Sequence, residues 1–116
     1  MKNYTPRFRQ QRDSNHETIS EALQWHGCIV ADLAEAGGGV PDLLVGYRGI
    51  IFLVEVKSPV GVLSPKQRAF FDMWIEYPAL VLRSVDDVRH VMEVLRDAYD
   101  LTAIDWQALV PRGRRR

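Results

Sequence analysis

Two short apolar runs, Leu43–Tyr47 and Ile50–Val56, stand on either side of Arg48-Gly49 and leave this chain few folds to choose from. β-rich runs around a two-residue turn read as a β-hairpin. Side chains alternate faces along a strand, so Glu55 and Lys57 share one face and Val56 takes the other. Asp42 follows Pro41 at the start of the partner strand. Asp42 and Glu55 both lie far from the turn, and pairing across it brings them to the same end of the hairpin. Two carboxylates and an ammonium are therefore predicted to converge at one edge of a sheet.

That constellation suits metal-assisted phosphodiester hydrolysis. Hard cations such as Mg²⁺ prefer oxygen ligands and keep several waters, so one or two carboxylates suffice. A metal there would acidify a water and offset charge on the phosphate. Lys57 would orient or deprotonate that water, or meet the developing oxyanion. The alternative is a solvent-facing Glu55–Lys57 ion pair, worth ~0–1 kcal/mol. The segment Gly37-Gly38-Gly39-Val40-Pro41-Asp42 ahead of the hairpin favours the chemical reading.

Taken together, Val40-Pro41-Asp42, Val54-Glu55-Val56-Lys57, and Leu63-Ser64-Pro65 with Gln67 resemble the PD-(D/E)XK nuclease superfamily, and within it the VRR-NUC (virus-type replication-repair nuclease) branch. The resemblance covers roughly residues 14 to 95. It implies a restriction-endonuclease-like fold in which Asp42 and Glu55 hold Mg²⁺, with Mn²⁺ as a substitute. The Val56 carbonyl would be a further ligand, Lys57 would serve the attacking water, and a first-helix glutamate would complete the metal site. Glu17 occupies that place, and Glu21 is the weaker candidate one turn later. Glu17 reads equally well as the capping-box partner of Ser14. The resemblance also implies a stand-alone protein of a bacterial or phage-infected cytoplasm that cuts branched or structured DNA.

At 116 residues the chain is one domain, and its 47% apolar and 26% charged content is ordinary for a globular protein. No apolar run approaches the ~20 residues of a membrane span. The single Cys28 excludes an intrachain disulfide or a multi-cysteine zinc site, and its apolar setting suggests a buried thiol in a reducing compartment. No histidine pairs with another at ligand spacing. The net charge of zero hides an asymmetry. Residues 1–12 carry Lys2, Arg7, Arg9 and Arg12 without an acid, and residues 112–116 carry four arginines. The body between them holds 7 basic and 15 acidic residues, a net charge of −8. Such ends would bind phosphates or stand solvated, two readings of equal weight.

In chain order, residues 1–13 are expected to form a flexible basic arm, 14–110 the nuclease-like domain and 111–116 a basic tail. Ser14 opens a helix that runs to about His26 and stops at Gly27, with Ile19, Ala22, Leu23 and His26 on its packing face. Cys28 to Leu33 reads as a strand. Gly38 and Gly39 sit in the following loop, where glycine permits close approach of a ligand backbone or simple flexibility. The loop lacks the Lys-Ser/Thr ending of a P-loop, so no nucleotide cofactor is expected. Ser64-Pro65 starts a second helix, predicted to reach Tyr77 ahead of Pro78 and to bury Phe70, Met73, Trp74 and Tyr77. Lys66, Gln67 and Arg68 lie in its first turn, where exposed amides favour phosphate, and Gln67 is assigned to substrate contact. A strand over 79–83 and a helix capped by Ser84, burying Val88, Val91, Met92, Leu95 and Tyr99, complete the order α-β-β-β-α-β-α around a mixed four-stranded sheet.

Two function classes fit: a metal-dependent DNA nuclease, and a nucleic-acid-binding or interaction module that keeps the fold without catalysis. An RNA nuclease is a narrower alternative, since no aromatic RNA-recognition motif is present. Cutting paired strands or holding a junction would suit a twofold homodimer.

Overall fold

The computed structural model describes residues 14–109. The basic arm, the basic tail and the Ser14 side chain on which the capping box rests lie outside the described residues. The elements are helix α1 (Ser14–Trp25), strands β1 (Ile29–Asp32), β2 (Leu43–Tyr47) and β3 (Ile50–Val56), helix α2 (Pro65–Met73), strand β4 (Ala79–Leu82) and helix α3 (Val85–Asp97). Two 3₁₀ turns, Leu101–Ala103 and Trp106–Leu109, follow. The sheet order is β1-β2-β3-β4. The first three strands are antiparallel, and β4 joins β3 in parallel through the α2 crossover.

The predicted hairpin is present residue for residue, with Leu43 opposite Val54 and Tyr47 opposite Ile50. Arg48 and Gly49 both have positive φ, 49° and 87°, as a tight turn matched to strand twist requires. An arginine at such a position is unusual. Its side chain donates to the carbonyls of Leu95 and Arg96, capping the C-terminus of α3 from across the molecule.

Two cores lie on opposite faces of the sheet. Ile19 and Leu23 of α1 and Val88, Val91, Met92 and Leu95 of α3 pack on Val45, Phe52, Val54, Leu80 and Leu82. Cys28 joins this core and is buried, its thiol pushed up to about 11 by that burial. On the other face, Phe71 of α2 and Leu63 cover Leu53, Ala79 and Val81.

Three expectations are corrected here. Helix α2 ends at Met73, with Trp74 as its C-cap, a turn short of the predicted Tyr77. Pro78 sets only the latest point at which a helix can stop. The fully buried side chain of α2 is Phe71, whereas Met73 and Tyr77 are 72% and 57% exposed. Phe70 and Trp74 are half-buried and stacked at 5.0 Å between ring centroids. Tyr99 lies beyond the end of α3 and is fully exposed rather than part of its buried stripe.

Candidate active site

Two features of the sequence build this site: the hairpin register and a helix cap. Extending the Leu43–Val54 pair outward sets Asp42 opposite Glu55. Asp42 Oδ2 accepts a hydrogen bond from the Val56 amide at 2.9 Å, so the carboxylate replaces a strand partner where β2 begins. Strand alternation turns Glu55 and Lys57 to the α2 face, and Lys57 Nζ stands 3.7 Å from Glu55 Oε2.

Ser64 caps α2 through a reciprocal capping box with Gln67. Its hydroxyl accepts from the Gln67 amide at 3.2 Å, and Gln67 Oε1 accepts from the Ser64 amide at 2.8 Å. The other end of the same side chain, Nε2, donates to Glu55 Oε2 at 3.0 Å. The cap therefore fixes Gln67, and Gln67 fixes Glu55. Expected at the substrate, Gln67 has both polar ends engaged within the protein.

Glu55 is 2% exposed. One of its oxygens is held by Gln67 and Lys57, while the other, Oε1, is buried with no hydrogen-bond partner among the described residues. Burial first, and then the charge of Asp42, push its carboxyl up to about 8, against the opposing pull of Lys57. A buried carboxylate oxygen without a donor is costly unless a proton or a cation meets it. Asp42 beside it supplies a second hard oxygen donor. Among the described residues no three His, Cys, Asp or Glu side chains form a metal-binding group, so Glu17 does not join Asp42 and Glu55 in one. Glu17 is exposed on α1, in the layer packed against the opposite face of the sheet.

The remaining candidates border this centre. Lys66 and Arg68 are exposed at the start of α2. Gly39, with φ +85°, lies against the backbone of α2: a Cβ there would collide with the Lys66 carbonyl. Gly38, with φ +66°, borders open space. The loop glycine nearest the helix thus serves a close backbone approach within the protein.

The sequence reading missed two residues behind the site, Asn15 and Arg83, while Asp87 was expected only as a first-turn capping acid. Asn15 Nδ2 donates to the carbonyls of Lys57, at 2.8 Å, and Arg83, at 3.0 Å. The Arg83 guanidinium, buried, donates to the carbonyls of Ser58 and Gly61. The buried Asp87 accepts from the Arg83 amide at 2.8 Å. Asn15 and Arg83 are 68 residues apart, so only the folded chain connects them. The one sequence signal is an arginine placed where a strand should stay apolar.

Fold and site together define an α/β domain with a restriction-endonuclease-like core and an acidic centre at the carboxyl end of its third strand. A family model described as VRR-NUC domain matches residues 4–86. A solved structure titled VRR_NUC domain is similar at a TM-score of 0.55 with 27% identity, over 73% of this chain and 92% of the other. No curated protein matches the chain. The chain belongs to the VRR-NUC domain family, and so to a nuclease type of domain. No helix among the described residues is long and apolar enough to cross a membrane.

Proposed function

We propose that this protein is a metal-dependent nuclease that hydrolyses DNA phosphodiester bonds, with Mg²⁺ as the cofactor and Mn²⁺ as its substitute. The observation that carries the reading is the buried, unpartnered Oε1 of Glu55 beside Asp42. A hard cation would meet that oxygen where no protein donor does, and the donor set contains neither sulfur nor imidazole. Asp42 and Glu55 would hold the ion, with the Val56 carbonyl as a further ligand. An ion held there would supply charge neutralisation at the phosphate and a water of lowered pKa.

The chain's own residues do the rest. Lys57 orients the attacking water and meets the negative charge that develops on the phosphoryl oxygens. Gln67 holds the Glu55 carboxylate in one orientation. Lys66 and Arg68, exposed in the first turn of α2, receive the flanking phosphates, and Gly38 leaves open space beside them. A single small domain offers little surface for reading bases, so branched or junction DNA, recognised by shape, is the proposed substrate. Two related cuts in such a substrate call for a twofold homodimer.

The deciding experiment incubates the full chain with labelled linear and four-way branched DNA in Mg²⁺, in Mn²⁺ and after EDTA. Cleavage in either metal, its loss after chelation and a preference for the branched substrate are expected. Full activity after exhaustive chelation would overturn the metal mechanism. Binding without cleavage of any DNA would instead mark a nucleic-acid-binding module.

A further inference from the structure

Strands β3 and β4 run in parallel, and their last shared rung is the bond from the Lys57 amide to the Leu82 carbonyl, 3.1 Å. The next carbonyl on each strand, Lys57 and Arg83, would have no ladder partner. One side-chain amide serves both: Asn15 Nδ2, reaching from the first turn of α1. Beyond that rung β3 leaves the sheet through a tight turn, closed internally by the Gly61 amide on the Ser58 carbonyl. One guanidinium nitrogen of Arg83, Nη1, ties the same turn down by donating to its Ser58 and Gly61 carbonyls. The turn in turn supports Lys57. A Cβ built on Gly61 would lie 3.6 Å from Lys57 Cδ, so the lysine stem runs alongside that glycine.

Lys57 is thus held at its backbone by Asn15 and bordered along its stem by a turn that Arg83 anchors. Among the described residues, its ammonium has only the longer 3.7 Å approach to Glu55 to hold it. Burying a guanidinium and an amide behind a strand end is costly unless their hydrogen bonds are made. Here those bonds converge on the segment that carries the lysine.

We propose that Asn15 and Arg83 are positioning residues that set the Lys57 ammonium over Glu55. This rests on the nuclease reading for its rate effects but not for its geometry. A misplacement of about 1 Å at a reacting group can cost 10²-fold, so each truncation is expected to slow single-turnover cleavage about ten- to hundred-fold.

The test is a pair of double-mutant cycles, Asn15→Ala and Arg83→Met, each with and without Lys57→Ala. If the two residues act through Lys57, their losses shrink to about twofold or less once the lysine is gone. A general weakening of the fold would persist undiminished in the Lys57→Ala background. Arg83→Lys, which keeps a charged nitrogen donor on a shorter side chain, should recover part of the rate that Arg83→Met loses. Amine acylation followed by mass spectrometry supplies a second readout without cleavage. Lys57 should label several-fold faster in Asn15→Ala, while the exposed Lys66 labels at the parental rate.

Asn15 is half-buried in the first helical turn, so its variant keeps the test alive if Arg83→Met fails to fold. Equal losses in both backgrounds, or unchanged Lys57 labelling, would overturn the proposal. A parent that cleaves nothing would sink the nuclease reading, and labelling alone would then decide the positioning.

Discussion

Glu55 and Lys57 are two residues apart on one strand face, yet their environments set them different tasks. The carboxyl of Glu55 sits at about 8 against an ordinary 4.5, because burial and Asp42 both oppose its charge. Between those two values the folded chain holds a proton that the unfolded chain has released, so stability falls as pH rises through that window. In EDTA, the urea midpoint should therefore drop steadily from pH 5 to pH 8. Glu55→Gln should flatten that slope, and Mg²⁺ should restore the midpoint at pH 8 for the parent but not for the variant. A midpoint that rises across this range would contradict the buried-carboxylate account. On the proposed reading, Lys57 serves the chemistry rather than the metal. Lys57→Ala should lower single-turnover cleavage by roughly 10²–10³-fold while DNA affinity stays near parental, since one phosphate contact among several is a small loss. Asp42→Asn should lose metal binding and cleavage together, as isothermal titration with Mn²⁺ beside the cleavage assay would show.

At the scale of elements, the Gly38-Gly39 loop and α2 meet backbone to backbone, and two substitutions separate the reasons for two glycines. Gly39→Ala meets both a left-handed φ and the Lys66 carbonyl, and relief would push α2 and Gln67 away from Glu55. Gly38→Ala meets the φ cost alone, about 1–2 kcal/mol. Thermal unfolding should show a clearly larger loss for Gly39→Ala, accompanied by slower cleavage; equal shifts would mean that the close approach does not matter. The elements themselves were legible where local chemistry decides: Arg48-Gly49 for the turn, Ser64-Pro65 and Ser84 for helix starts, Gly27 for a helix stop. Faces and ends were harder. Periodicity placed Met73 and Tyr77 inside, but Leu63 and the β3–β4 surface select Phe71, and the helix unwinds at Trp74 before the pattern ends. Asp42, Glu55 and Lys57 could be read together because one hairpin carries them all. Asn15 and Arg83 could not, because their partners lie tens of residues away and no spacing rule links them.

For the molecule as a whole, charge is divided between an acidic body and basic ends. A net charge of −8 between residues 13 and 111 repels DNA, while the four cations at each end attract it. Deleting residues 1–12 or 112–116 should therefore flatten the log–log salt dependence of duplex binding by about 3–4 if all four charges contact phosphates. An unchanged slope would leave those arginines as solvated ends. The proposed homodimer is checked by sedimentation of the full chain, expected at twice its 13.3 kDa mass.

The sheet order, which follows the order of the strands in the chain, also sets a schedule. The Asp42–Val56 bond closes a loop of only 14 residues and needs nothing but the hairpin. The Asn15 bonds span 42 and 68 residues, and the second, to Arg83, must wait for the crossover and for β4. Short loops close early and long ones late. Pulsed hydrogen exchange during refolding should find the β2–β3 amides protected before those of β4. The acidic pair would then exist, for a time, without the lysine in place: on the proposed reading, a chain that could gather cations before it could use them.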